Sequence, residues 1–269
     1  MGTKALVLDI DGTLTNSEKK ITPATAGSIR KIQERGYCVI LASGRPLFGM
    51  RRYARELSLE KYGGYLLSYN GARVVEYPSE SIVYQNALPR TLLPGLYDFA
   101  RENGCGLATH SADTVISAFR PDVYVSLEAR INGMPVREAG DFVNEVNFDI
   151  YKCFMTADGE EAAVLERKLQ ERYGEQASIY RSEPYFIEIV PKGVDKGDSL
   201  RRLSQAAGID REDMVCCGDG YNDISMIRYA GVGVAMGNAQ PEVKAAADYV
   251  AGSNDGDGLV EVIERFCAE

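Results

Sequence analysis

What this chain has little of narrows its chemistry before any motif is read. His110 is its only histidine, so a histidine-based triad or a zinc cluster has little to build from. No apolar run approaches the roughly 20 residues needed to cross a bilayer. The first apolar stretch, Ala5 to Ile10, is interrupted by a charge at Asp9, so it does not read as a secretory leader. The six cysteines (Cys38, Cys105, Cys153, Cys216, Cys217 and Cys267) form no C-x-x-C pair. Cys216 and Cys217 are neighbours in an apolar run, where a disulfide between them would be strained, so reduced structural thiols in a cytoplasm are expected. No G-x-x-x-x-G-K-[ST] occurs, and a dinucleotide loop built on Gly231 and Gly233 would need glycine where Met236 stands. Positive charge is in deficit as well: 30 Lys and Arg face 39 Asp and Glu, a net charge of −9. That balance argues against a nucleic-acid surface, whose affinity comes from Lys and Arg contacts with phosphates. It leaves room for a small anionic substrate, which needs only a local cluster of donors and a cation.

What is present reads as globular. The 269 residues suffice for one large domain or two modest ones, and the apolar fraction of 45% with 26% charged is ordinary for a soluble protein. Short runs apolar on both faces (Ala5 to Ile10, Cys38 to Ala42, Tyr65 to Tyr69, Met214 to Cys217, Val232 to Met236) alternate with helix-period segments, the pattern of parallel strands buried between helices. One such helix opens with Thr22 as N-cap and Pro23 at its first position and ends at Gly36. Another runs from about Asp195 to Ala207 and stops at Gly208. Between about Ile82 and Phe186 the strands alternate polar and apolar residues, as in a sheet covered on one face. The expected fold is α/β, a Rossmann-like parallel-sheet core made of residues 1–82 and 188–269 with an α+β domain, 83–187, inserted in it.

Three strand ends carry the polar residues that matter. The first reads Asp9-Ile10-Asp11-Gly12-Thr13-Leu14, two carboxylates where a strand opens into a glycine turn. A calcium loop counted from Asp9 would need glycine and glutamate where Leu14 and Lys20 stand. The second strand ends Ser43-Gly44-Arg45, a hydroxyl and amides that alone mean no more than a turn. The third ends Gly218-Asp219-Gly220-Tyr221-Asn222-Asp223. Ligands bind beyond the carboxyl ends of such strands, and four acidic side chains there would repel unless a hard cation neutralised them. Oxygen ligands suit Mg²⁺. Lys196, an ordinary surface lysine if taken alone, becomes the fixed positive charge that such a site needs.

In that order, these segments resemble the four motifs of the haloacid dehalogenase superfamily. The insert resembles the type IIB cap of its Cof-like sugar phosphatases. Tyr69-Asn70-Gly71-Ala72, Phe186 to Lys196 and Asn254-Asp255-Gly256-Asp257-Gly258 are similar to that branch too. The resemblance implies a Mg²⁺-dependent phosphatase for a small phosphorylated metabolite, with no nucleic-acid or membrane partner. It implies Asp9 as nucleophile and Asp11 as general acid/base. Mg²⁺ would be held by Asp9, the main-chain carbonyl of Asp11 and Asp219, with Asp223 holding metal-bound water. Ile10, Ser43, Gly44, Lys196 and Asn222 would surround the phosphoryl oxygens. A phosphohexomutase of the same superfamily and a phosphosugar-binding regulator that has lost turnover are the rival readings; a dehalogenase would not need the acid at Asp11. His110 and the tyrosines of the insert read as packing residues.

Overall fold

A computed structural model describes residues 4–267. They fall into two compact units: the chain up to Gly44 with Met50–Gln85 and everything from Asp195, and Arg45–Gly49 with Asn86–Val194. In the first unit the chain begins with β1 (Ala5–Leu8), β2 (Cys38–Ala42), β3 (Gly64–Ser68), β4 (Arg73–Tyr77) and β5 (Ile82–Gln85). The second unit supplies β6 (Gly106–His110), β7 (Val115–Ser117), β8 (Val136–Glu138), β9 (Cys153–Thr156), β10 (Ala177–Glu183) and β11 (Phe186–Pro191). The first unit then resumes with β12 (Met214–Gly218), β13 (Val232–Ala235) and β14 (Tyr249–Val250).

The first unit is an eight-stranded sheet in the order β14-β13-β12-β1-β2-β3-β4-β5. Its pairs are parallel from β14 to β3, and β4 and β5 are added antiparallel at one edge. Every residue of β1 and β12 is buried, as expected for strands covered on both faces. Ala5, Val7, Ile40, Leu67 and Met214 pack with Leu200 and Leu203 of the helix Lys196–Ala207. The crossover helix Pro23–Glu34 starts as its sequence dictates: the Thr22 side chain accepts a bond from the Thr25 amide, 3.1 Å away. It buries Ile29 and Ile32, each worth about 1.5–3 kcal/mol.

The second unit is a six-stranded sheet, β10-β11-β9-β6-β7-β8, antiparallel except for β7 with β8. The helices Leu93–Asn103 and Gly159–Tyr173 contribute Leu96, Phe99, Leu165 and Leu169 to its apolar core, with Leu107 and Met155 from the sheet. The stretch from Asp149 reads as strand in the sequence but pairs only from Cys153 onward. Among the described residues no helix is long and apolar enough to cross a membrane. All six cysteines are free thiols, five of them buried.

Candidate active site

Strand register gathers the site. Leu8 of β1 lies opposite Cys217 of β12 on one side and Leu41 of β2 on the other. The residues that follow these strands therefore leave the same edge: Asp9, Ser43 and Asp219. Asp9 still holds the sheet, its amide donating to the Cys217 carbonyl at 3.0 Å. The chain then turns, with the Leu14 and Thr15 amides donating to the Asp9 and Ile10 carbonyls. Gly12 makes the turn possible. Its φ is +84°, and a Cβ there would lie 2.3 Å from Asp219 Oδ2, so neither the backbone nor the space admits another residue.

Lys196 crosses into this edge from the start of its helix, which Asp195 caps by accepting from the Asp198 amide at 2.9 Å. The lysine is 0% exposed. Its Nζ donates to Asp9 Oδ1 at 2.6 Å and to Asp223 Oδ1 at 2.5 Å. Burial alone would favour the neutral amine, but the carboxylates of Asp223 and Asp9 outweigh it and hold the ammonium charged far beyond the ordinary lysine range. Asp223 uses its other oxygen to accept from the amides of Asp219 and Gly220, both at 2.9 Å, and so shapes the loop that carries Asp219.

Asp9, Asp219 and Asp223 each offer an oxygen within 4.8 Å of the others. Burial, followed by repulsion from Asp223, raises Asp9 well above the usual carboxylate value and pushes Asp219 up to about 6. With all three ionised, the carboxylates against one ammonium would leave two negative charges in a largely buried space. An all-oxygen donor set with that charge fits a hard divalent cation, whose charge would reverse both shifts.

The structure brings together three of the four acidic side chains expected to cluster. The Asp11 carboxylate lies instead 2.9 Å from Lys19 Nζ, the two side chains being 34% and 54% exposed. Ser43, Gly44 and Asn222 meet through a residue not singled out by its chemistry, Asn70. Its amide donates to the Ser43 carbonyl at 2.9 Å, and its Oδ1 accepts from Asn222 Nδ2 at 2.9 Å. A Cβ on Gly44 would be 3.3 Å from the same side chain. Tyr69, Asn70 and Gly71 have φ values of 53°, 55° and 101°, a run of left-handed residues that costs on the order of 1–3 kcal/mol for each non-glycine member. Arg45 belongs to the second unit, within which it donates to the Ile131 carbonyl at 2.9 Å. Thr13 was visible only as part of its motif, yet its Oγ1 donates to Asp219 Oδ1 at 3.0 Å. Asn238, in the turn after β13, donates to Asp219 Oδ2 at 3.2 Å. Its one sequence signal is that it follows a strand of the same sheet.

His110 belongs to the second unit. It is buried, with Nε2 3.1 Å from Glu128 Oε1. Burial lowers its pKa, while Lys152 and His110 together overcome burial and hold Glu128 well below the usual glutamate range. Lys152 also reaches Glu188 at 3.2 Å, and Tyr180 donates to that glutamate. His110 of β6, Glu128 of the helix Val123–Asn132, Lys152 just before β9 and Glu188 of β11 thus form a buried polar row, with Tyr180 of β10 half-buried beside it.

A parallel sheet whose edge holds three aspartates around a buried lysine has counterparts among known proteins. The family model for haloacid dehalogenase-like hydrolases matches residues 6–263. The chain belongs to that family. It is a hydrolase of the phosphatase kind, and it groups with the Cof-like members that carry a type IIB cap. A haloacid dehalogenase-like hydrolase from Bacteroides thetaiotaomicron superposes with a TM-score of 0.94 at 43% identity, over 98% of this chain and 99% of that one. A haloacid dehalogenase subclass IIB sugar phosphatase superposes at 0.82 with 27% identity, over 99% and 100% of the two chains. The 5-amino-6-(5-phospho-D-ribitylamino)uracil phosphatase YcsE of Bacillus subtilis (strain 168) is 27% identical over 263 residues, 98% of this chain and 95% of that one.

Proposed function

We propose that this family member is a Mg²⁺-dependent phosphomonoesterase of a reducing cytoplasm. It acts on a small phosphorylated metabolite, with sugar phosphates as the leading class, through a phospho-aspartate on Asp9. The observation that carries the reading is the buried Lys196 ammonium shared between Asp9 and Asp223 beside Asp219. It holds the Asp9 carboxyl in place at the sheet edge where a phosphate would bind, and the ammonium with a bound cation would favour its ionised form.

Asp9 and Asp219, with the Asp11 main-chain carbonyl, would hold Mg²⁺, and Asp223, already engaged on both oxygens, would act through water. The ion's contribution when bound is charge neutralisation between carboxylate and phosphate. An Asp9 oxygen attacks phosphorus as the bond to the leaving oxygen breaks, and Asp11 gives that oxygen its proton. Water then attacks the phosphorus, Asp11 takes the water's proton, and the bond to Asp9 breaks to free inorganic phosphate. Lys196, Ser43, Asn222 and the Ile10 and Gly44 amides donate to the phosphoryl oxygens, on which the transition state spreads its charge. The Lys19 partner of Asp11 is no obstacle, because exposed ion pairs contribute only about 0–1 kcal/mol. The two units take the roles of catalytic core and specificity cap. The sugar-phosphate assignment draws on the subclass IIB sugar phosphatase relative.

The test is phosphate release from a panel of phosphoesters with Mg²⁺, with and without a chelator. Undiminished release in excess chelator would sink the metal assignment, and isomerised hexose phosphate in place of free phosphate would favour a mutase.

Two further outcomes follow. Asp11→Asn keeps its carbonyl but cannot move a proton. With p-nitrophenyl phosphate, whose leaving group needs little protonation, it is expected to give a burst of p-nitrophenol equal to the enzyme present and then slow by about 10²–10⁴-fold; a stopped-flow trace without a burst contradicts this. The second outcome concerns pH. Asp219, raised to about 6, is protonated below that pH, so Mg²⁺ must displace a proton there. Calorimetric Mg²⁺ affinity should fall between about pH 7 and about pH 5. Stability of the metal-free protein has the opposite sign. A carboxylate raised in the folded state favours folding at low pH, and that contribution is lost as pH rises through about 6.

A further inference from the structure

The segment Asn254-Asp255-Gly256-Asp257 has no part in the chemistry above, yet it is stitched to the loop that carries Asp9. Asn254 Nδ2 donates to the Thr15 carbonyl at 2.9 Å. Asp255 accepts from the Ser17 amide at 2.8 Å and the Ser17 hydroxyl at 2.7 Å. Asp257 accepts from the Thr22 hydroxyl at 2.5 Å. Asn238 joins this strap to the acidic cluster. Its Oδ1 accepts from the Asn254 amide at 3.0 Å, while its Nδ2 donates to the Gly12 carbonyl at 2.9 Å and to Asp219 Oδ2 at 3.2 Å.

A primary amide has two N–H donors and one carbonyl, and here both kinds of group are committed. Each bond serves a different segment: the strap, the Gly12 turn and the Asp219 loop. The other Asp219 oxygen is held by Thr13, one residue beyond the carbonyl that Asn238 grips. The Asp219 carboxylate is therefore held on one oxygen by the loop of the nucleophile and on the other by Asn238, which also grips that loop at the Gly12 carbonyl.

We infer that Asn238 is a positioning residue: it sets the direction of the Asp219 carboxylate relative to the Asp9 loop, with the Asn254–Asp257 strap as its anchor. The inference rests on the proposal that Asp219 holds Mg²⁺. Its side chain is exposed, so truncation opens no cavity and the fold should survive. Partners that orient a metal-binding carboxylate typically affect metal affinity by about 10–100-fold, whereas a residue serving only the turn would change the melting temperature and leave affinity alone.

The experiment is calorimetric titration of Mg²⁺ alone into the full chain and into Asn238→Ala, with circular dichroism to compare melting. Asn238→Ser is the second variant; its hydroxyl is one atom shorter than the amide nitrogen and cannot span both acceptors, so it carries the same expectation if the alanine form does not fold. The expected result is Mg²⁺ affinity weakened about 10–100-fold in a folded variant, with the KM for p-nitrophenyl phosphate at saturating Mg²⁺ little changed. Affinity equal to that of the unaltered chain would overturn the inference and leave the metal reading intact. No Mg²⁺ binding by the unaltered chain would remove the metal reading, and this inference with it.

Discussion

Asp9→Asn is expected to abolish turnover, a loss on the order of 10⁶-fold if this group behaves as other covalent nucleophiles do, without unfolding the protein. The amide has the shape of the carboxylate but neither its charge nor its nucleophilicity. Its effect on stability should run the other way. Asp9 is buried, and its pKa is raised by desolvation and by Asp223, so the metal-free folded protein disfavours its ionised form and gains nothing in stability from that charge. Lys196 keeps Asp223 as a partner after the substitution. The metal-free variant should therefore melt no lower than the unaltered chain, and Mg²⁺ should raise its melting temperature less. Catalytic function and stability trade against each other in this way where a site concentrates like charges. A phosphate-release assay alongside a thermal melt checks both halves. Activity within about 100-fold of the unaltered chain would be too much for the loss of a nucleophile.

Lys196→Met carries the second large effect. It removes the ammonium that Asp9 and Asp223 share at 2.6 and 2.5 Å and leaves both carboxylates buried without it. Removing one partner of a buried pair costs about 3–5 kcal/mol, and urea denaturation at neutral pH should show a loss of that size. The loss should shrink as pH falls and the carboxylates take up protons. It should also shrink when Mg²⁺ is added, because a second cation can replace part of the missing charge. Turnover should drop by at least about 10²–10³-fold, the effect of removing one donor to a developing oxyanion. Equal stability of Lys196→Met and the unaltered chain at neutral pH would mean that the ion pair contributes nothing.

The sequence made the sheet and most of the site legible for a physical reason: in a parallel sheet the residues after each strand share one edge. Runs such as Val7 to Leu8 and Ile40 to Ala42, apolar on both faces, could only be buried strands, so Asp9, Ser43 and Asp219 had to emerge together. Lys196 followed from charge balance. What could not be read were directions set by backbone conformation. The Asp11 carboxylate leaves the acidic cluster for Lys19, itself at a positive φ of 61°. Asn70 reaches Asn222 only because its own residue and Tyr69 are left-handed, which no periodicity reveals. β4 and β5 extend the sheet antiparallel because a tight turn at Tyr69–Gly71 sends the chain straight back. Asn238 stands in the turn after β13, where glycine and asparagine are ordinary turn residues and nothing in the sequence marks it out. The polar row of the second unit was not legible because His110, Glu128, Lys152 and Glu188 are far apart in the chain and meet only where a helix packs on the sheet.

The proposed nucleophile is tested most directly by locating the phosphoryl group. Asp11→Asn is mixed with p-nitrophenyl phosphate and Mg²⁺, quenched in acid within the burst, and mapped by peptide mass spectrometry. One phosphoryl group per chain, on Asp9 and in proportion to the burst, is the expected result. A phosphoryl group on any other residue, or none after a normal first turnover, would contradict covalent catalysis by Asp9.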